Sequence, residues 1–83
     1  MALWILAAVT KIRDQKLLKQ FGKRLKEMRL AKEYSQQALA DYSDIPKIQI
    51  GRIERGEINP TLSTISAIAK ALDIKMVDML EGL

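Results

Sequence analysis

The chain has no cysteine and no histidine among its 83 residues. That excludes disulfide frameworks, thiolate or imidazole zinc sites, cysteine nucleophiles and every histidine-based triad or acid–base pair. Carboxylate chemistry alone survives the composition, and no catalytic constellation accompanies it, so neither an enzyme nor a bound metal or cofactor is expected. Two prolines, four glycines and 5% aromatic residues fit poorly with a turn-rich β domain. The longest apolar run, Ala2 to Val9, falls far short of the roughly 20 residues that span a bilayer. It has the length of a signal-peptide core, but no basic segment precedes it and no cleavage site follows. Its readings, in order of preference, are packing on its own domain or a partner subunit, a start-site artefact, and membrane contact.

What remains is a globular balance of 48% apolar and 29% charged residues, enough for one small domain. Fourteen Lys/Arg against ten Asp/Glu leave a net charge of +4. The excess is uneven. Residues 1–34 carry nine basic and three acidic side chains, net +6, whereas residues 35–60 and 61–83 each net −1. Such a basic third is either a solvated helix face or an attraction to nucleic acid or an anionic surface.

Hydrophobic periodicity predicts helices throughout. From Asp14 to about Lys32, Leu18, Phe21, Leu25 and Met28 recur at spacings of three and four, with Lys16, Lys19, Lys23 and Lys26 largely off the stripe. Arg29 falls on the apolar face, where an unpaired charge costs several kcal/mol, so it requires a partner. Ser35 is a good cap for a short helix from Gln36 to about Tyr42, with Leu39 and Ala40 inward. Ser43-Asp44 breaks the pattern, and Asp tolerates the left-handed conformation of a tight turn.

The stretch from Ile45 to Arg55 mixes signals, since Ile48-Gln49-Ile50 alternates like a strand. Ile53 breaks that alternation, and Pro46 suits a helix start better than a strand centre, so a helix ending at Gly56 is predicted. Thr61 can cap a fourth helix with Leu62, Ile65, Ile68, Ala69 and Leu72 as its apolar stripe. A last amphipathic turn covers Met76 to Leu80. The division expected is an apolar extension at 1–13 and one domain at 14–83.

A short helix, a turn of about three residues and a second helix outline a helix-turn-helix. With Ile50 and Ile53 as core, steps of about 100° per residue turn Ile48, Arg52 and Arg55 outward, flanked by Gln49 and Gly51, with Lys47 at the exposed N-terminal end. These side chains suit the major groove. Arg and Lys donate to guanine, Gln pairs with adenine, and an apolar group meets the thymine methyl. Glu54 points inward and supplies the partner that Arg29 lacks.

Ser35-Gln36-x-x-Leu39-Ala40, Ile45, Ile50, Ile53-Glu54-Arg55-Gly56 and Asn59-Pro60, in this order and spacing, resemble the Xre-type family of phage Cro and repressor DNA-binding domains. The resemblance covers roughly Phe21 to Leu80. It implies an all-α, five-helix, lambda-repressor-like fold with the helix-turn-helix at about 35–55, and a cytoplasmic prokaryotic or phage regulator of transcription that binds double-stranded DNA. Similar domains occur in restriction–modification controller proteins and in antitoxins. The family pairs Arg29 with Glu54 as a structural bridge and sets Gln36 against the DNA backbone, near the first base contact. The expected base-reading residues are Gln36, Lys47, Ile48, Gln49 and Arg52. The expected phosphate contacts are Ser35, Arg29, Arg55, Asn59 and Ser63. Two-fold dimers are the usual solution for a single short recognition helix. Trp4, Ile5, Leu6, Met76, Val77, Met79 and Leu83 are the candidate dimer residues, the alternative for the C-terminal set being closure of the domain's own core, above all by Met79 and Leu80. The alternative is an antitoxin-like module whose apolar N-terminal segment grips a protein partner, a toxin or polymerase. This sequence departs from the family pattern at Asp44, commonly Gly, and at Pro46, commonly a Ser or Thr cap.

Overall fold

The computed structural model describes residues 13–83. They form five helices, α1 (Gln15–Ala31), α2 (Gln36–Ser43), α3 (Lys47–Glu54), α4 (Leu62–Ala71) and α5 (Met76–Leu80), with no strand among the described residues. The Ile48-Gln49-Ile50 alternation is therefore helical, as the Ile50–Ile53 spacing requires. The apolar run at 2–9, with Trp4, Ile5 and Leu6, lies outside the described residues.

Side-chain oxygens start three of the helices. Asp14, Ser35 and Thr61 accept from the backbone N–H groups of Leu17, Ala38 and Thr64 at 3.0, 2.9 and 3.1 Å. Helix α3 lacks this device because Pro46 occupies the capping position and offers no side-chain acceptor.

The ends explain how so few glycines suffice. After α1, α3 and α4 a residue with positive φ reverses the chain: Glu33 at 60°, Gly56 at 72° and Asp73 at 55°. In each case the next N–H reaches back to a carbonyl in the last turn: Tyr34 to Arg29, Glu57 to Arg52 and Ile74 to Ala69, at 2.9–3.1 Å. Asp44 ends α2 at φ 59°, so the turn of the motif uses aspartate in the left-handed region where glycine is commoner.

One core joins all five helices. Phe21 and Leu25 from α1, Leu39 from α2, Ile50 and Ile53 from α3, Ile68 and Leu72 from α4, and Met79 from α5 are buried together. Helix α1 lies against α3 at Gly22, where an added methyl would collide with the carbonyl oxygens of Ile53 and Glu54. That closeness is what lets side chains of α1 reach beneath α3.

Two expectations need correcting. Met79, a candidate for the dimer face, is fully buried in its own core. Of the five residues of α5, Met79 alone is fully buried, with Met76 half-buried against the same core. Leu62, expected on the inward stripe of α4, is 69% exposed because it begins the helix before the stripe meets the core.

Candidate nucleic-acid interface

Helix α3 is amphipathic in the sense its sequence requires. Ile50 and Ile53 are buried, whereas Lys47 and Arg52 are exposed and Ile48 is 71% exposed. Gln49 is half-buried at the flank. Solvation of a β-branched side chain as open as Ile48, between two cations, contributes nothing to the fold. It leaves an apolar contact surrounded by hydrogen-bond donors.

Beneath α3 lies a buried ion pair. Arg29 Nε donates to Glu54 Oε2 at 2.7 Å and Nη2 donates to Oε1 at 3.0 Å, with the two side chains 7% and 4% exposed. The third guanidinium nitrogen, Nη1, donates to the Tyr34 carbonyl at 2.8 Å. This two-pronged geometry is the strong form of the interaction. It ties α1, the loop before α2 and α3 into one unit, and no buried side-chain polar atom among the described residues lacks a partner. The expectation that Arg29 also meets phosphate does not hold. The residue is 6% exposed and each of its nitrogens is engaged inward.

Gln36 belongs to the same network, a contact that sequence reasoning missed. Its Nε2 donates to Glu54 Oε1 at 3.1 Å, so the carboxamide at the start of α2 is oriented from below by α3. No local spacing signals a bond across 18 residues. The half-buried Gln36, exposed Lys47 and Ile48, Gly51 and exposed Arg55 surround a shallow notch of about 290 Å³.

The remaining candidates lie around this surface. Ser35 is exposed, but its hydroxyl is committed to the cap of α2. Asn59 and Ser63 are exposed on the loop and first turn leading into α4. Arg55 is exposed and paired with Glu57 through Nε and Nη2. The hydrogen bond from Arg55 holds the Glu57 carboxyl below its ordinary range, and the same bond to Glu57 raises Arg55. The loop following α3 is also held from α1: Gln15 Nε2 donates to the Gly56 carbonyl at 2.7 Å, and Arg13 donates to that of Glu57. These ties join residues more than forty positions apart, and no motif announces them. Among the described residues no three His, Cys, Asp or Glu side chains gather as a metal site, and no helix is long and apolar enough to cross a membrane.

Of the dimer candidates, Val77 is 62% exposed, while Met76 and Leu83 are half-buried against the core. Leu62, Ala67 and Met76 line a shallow groove of about 510 Å³ between α4 and α5.

A short helix, a left-handed turn and a second helix with an open polar face define a helix-turn-helix protein. Residues 25–79 match the helix-turn-helix family, and the chain belongs to that family, in its Xre-type branch. The control protein C.BamHI of Bacillus amyloliquefaciens is 39% identical over 62 residues, covering 74% of this chain and 76% of that protein. The SPbeta prophage-derived HTH-type transcriptional regulator YonR of Bacillus subtilis is 37% identical over 62 residues. That match covers 75% of this chain, which spans 57% of YonR's length. Among solved structures, the restriction-modification controller protein C.AhdI from Aeromonas hydrophila superposes with a TM-score of 0.73 at 42% identity. The superposition covers 77% of this chain and 96% of C.AhdI.

Proposed function

We propose that this protein is a sequence-specific DNA-binding regulator of transcription that acts as a homodimer and places α3 in the major groove. One observation carries the reading. Lys47, Ile48 and Arg52 stand exposed on a helix whose inner face is locked by a buried, fully hydrogen-bonded ion pair. A rigid helix with a mixed apolar and donor face is what base-edge recognition needs. Gln36, Lys47, Ile48, Gln49 and Arg52 read bases in this arrangement. Ser35, Arg55, Asn59 and Ser63 meet phosphates and fix register. The exposed lysines of α1 attract and steer the duplex. The dimer face lies at α4 and α5, where Val77 and Leu62 are open beside half-buried Met76 and Leu83. The likeness to restriction-modification controllers and a prophage regulator supports a role at a promoter or operator.

The test is affinity against salt concentration, for a duplex enriched by the protein from a random library and for a random duplex. The logarithm of the binding constant should fall steeply with the logarithm of salt for both. Arg52→Ala should lose about 1–3 kcal/mol of discrimination between the two duplexes. Asn59→Ala should weaken both equally. Equal affinities for the two duplexes in the unaltered protein, with no salt dependence, would refute the proposal.

A further inference from the structure

Two glycines in the body of the domain have a structural explanation. At Gly22 a methyl would strike the backbone of α3. Gly56 sits at a φ of 72°, and an added carbon would press on Lys19. Gly51 differs. It lies inside α3 with helical backbone, and the nearest atom to an added Cβ is Arg55 Nη1 at 3.1 Å, the far end of a flexible side chain. The next, Gln36 Oε1, is at an ordinary contact distance of 3.6 Å. The fold therefore accommodates alanine here, and alanine is the better helix former. The glycine is nevertheless on the side of the helix that faces the Arg55 and Gln36 side chains, buried beneath them at the floor of the 290 Å³ notch. Two cations, Lys47 and Arg55, and the Gln36 carboxamide wall that notch. Glu54 fixes the carboxamide from below through its 3.1 Å bond to Nε2, while its own charge is turned inward to Arg29.

We infer that Gly51 is kept free of a side chain so that a DNA backbone phosphate can enter the notch between α2 and α3. Within it the phosphate meets Lys47, Arg55 and the free N–H of the Gln36 amide. Gly51 is then a residue whose value lies in binding and whose effect on stability is unfavourable. This assignment rests on the DNA-binding reading above and revises one part of it, moving Gln36 and Lys47 from base reading to the DNA backbone.

The experiment compares Gly51→Ala with the unaltered protein in two readouts, thermal melting and affinity for random and library-enriched duplexes. The melting temperature should rise by about 4 °C, the gain expected from replacing an interior helical glycine in a domain of this size. Affinity for both duplexes should fall about tenfold, and the salt dependence should become shallower by about one phosphate contact. In an Arg55→Ala background the same substitution should still weaken binding, because the notch is filled whether or not the guanidinium is present. A lower melting temperature would overturn the inference, since the fold would then require the glycine. Unchanged affinity, a loss confined to the enriched duplex, or a loss that vanishes without Arg55 would each overturn it too. Failure of the unaltered protein to bind any duplex would instead refute the proposed function on which the inference stands.

Discussion

Replacing Glu54 by Gln should destabilise the protein far more than any surface change. Glu54 is 4% exposed at its side chain and accepts three hydrogen bonds, two from Arg29 and one from Gln36. Glutamine preserves the volume but in either orientation places an amide donor against the guanidinium, in one of them against the Gln36 amide as well, and it leaves Arg29 buried without a counter-charge. Stranding one member of a buried pair costs about 3–5 kcal/mol. A small domain has roughly 5–15 kcal/mol in all, so this is a large share of its stability. At about 4–8 °C per kcal/mol the melting temperature should drop by roughly 12 °C or more. The double replacement Arg29→Met with Glu54→Leu should recover part of that loss, because an apolar pair of similar size removes both charges together. Recovery is incomplete for an identifiable reason. The Tyr34 carbonyl loses its donor and the Gln36 amide its acceptor, at about 1–3 kcal/mol for each group that stays buried and unpaired. The assay is urea denaturation followed by far-ultraviolet circular dichroism at one fixed protein concentration, since any self-association would make stability concentration-dependent. A loss below about 1 kcal/mol for Glu54→Gln, or a double variant as unstable as the sum of its singles, would refute the reasoning.

Three further outcomes are expected. Gly22→Ala should lower stability by about 3 kcal/mol or more in the same urea titration, because the methyl meets backbone of α3 and only a shift of α1 relieves it. Glu57→Gln should raise affinity for random duplex several-fold and steepen its salt dependence, because it releases the Arg55 fork for phosphate. The carboxyl of Glu57 is lowered on folding by the hydrogen bond from Arg55, so the pair's stabilisation is present at neutral pH and lost as pH falls through the lowered value. Thermal melts of Glu57→Gln and the unaltered protein should therefore differ slightly at pH 7 and converge as the pH falls below the ordinary carboxylate range. A difference that persists in acid would assign the effect to something other than the charge.

Much of this molecule was legible in its sequence because the relevant physics is local. The three-and-four spacing of Leu18, Phe21 and Leu25 determined α1, and Ser35 and Thr61 marked the starts of α2 and α4 through hydrogen bonds that span three residues. Helical rotation alone separated buried Ile50 and Ile53 from exposed Ile48 and Arg52. An arginine and a glutamate on facing apolar stripes announced that each needed the other.

What only tertiary structure decided was which side chains the path of the backbone brings together. The run of apolar residues in α5 did not reveal whether Met79 faces its own core or a partner, since burial depends on what α1 and α4 leave open. Arg29 looked available to phosphate until the Tyr34 carbonyl took its last nitrogen. The Gln36–Glu54 bond and the Arg55–Glu57 pair depend on backbone paths that periodicity does not encode. The scarce residue types divide in the same way. Lack of cysteine and histidine closed off whole chemistries from composition alone. The sparse glycines acquired meaning only when the close approach of α1 to α3 separated the required Gly22 from Gly51, whose place the packing does not demand.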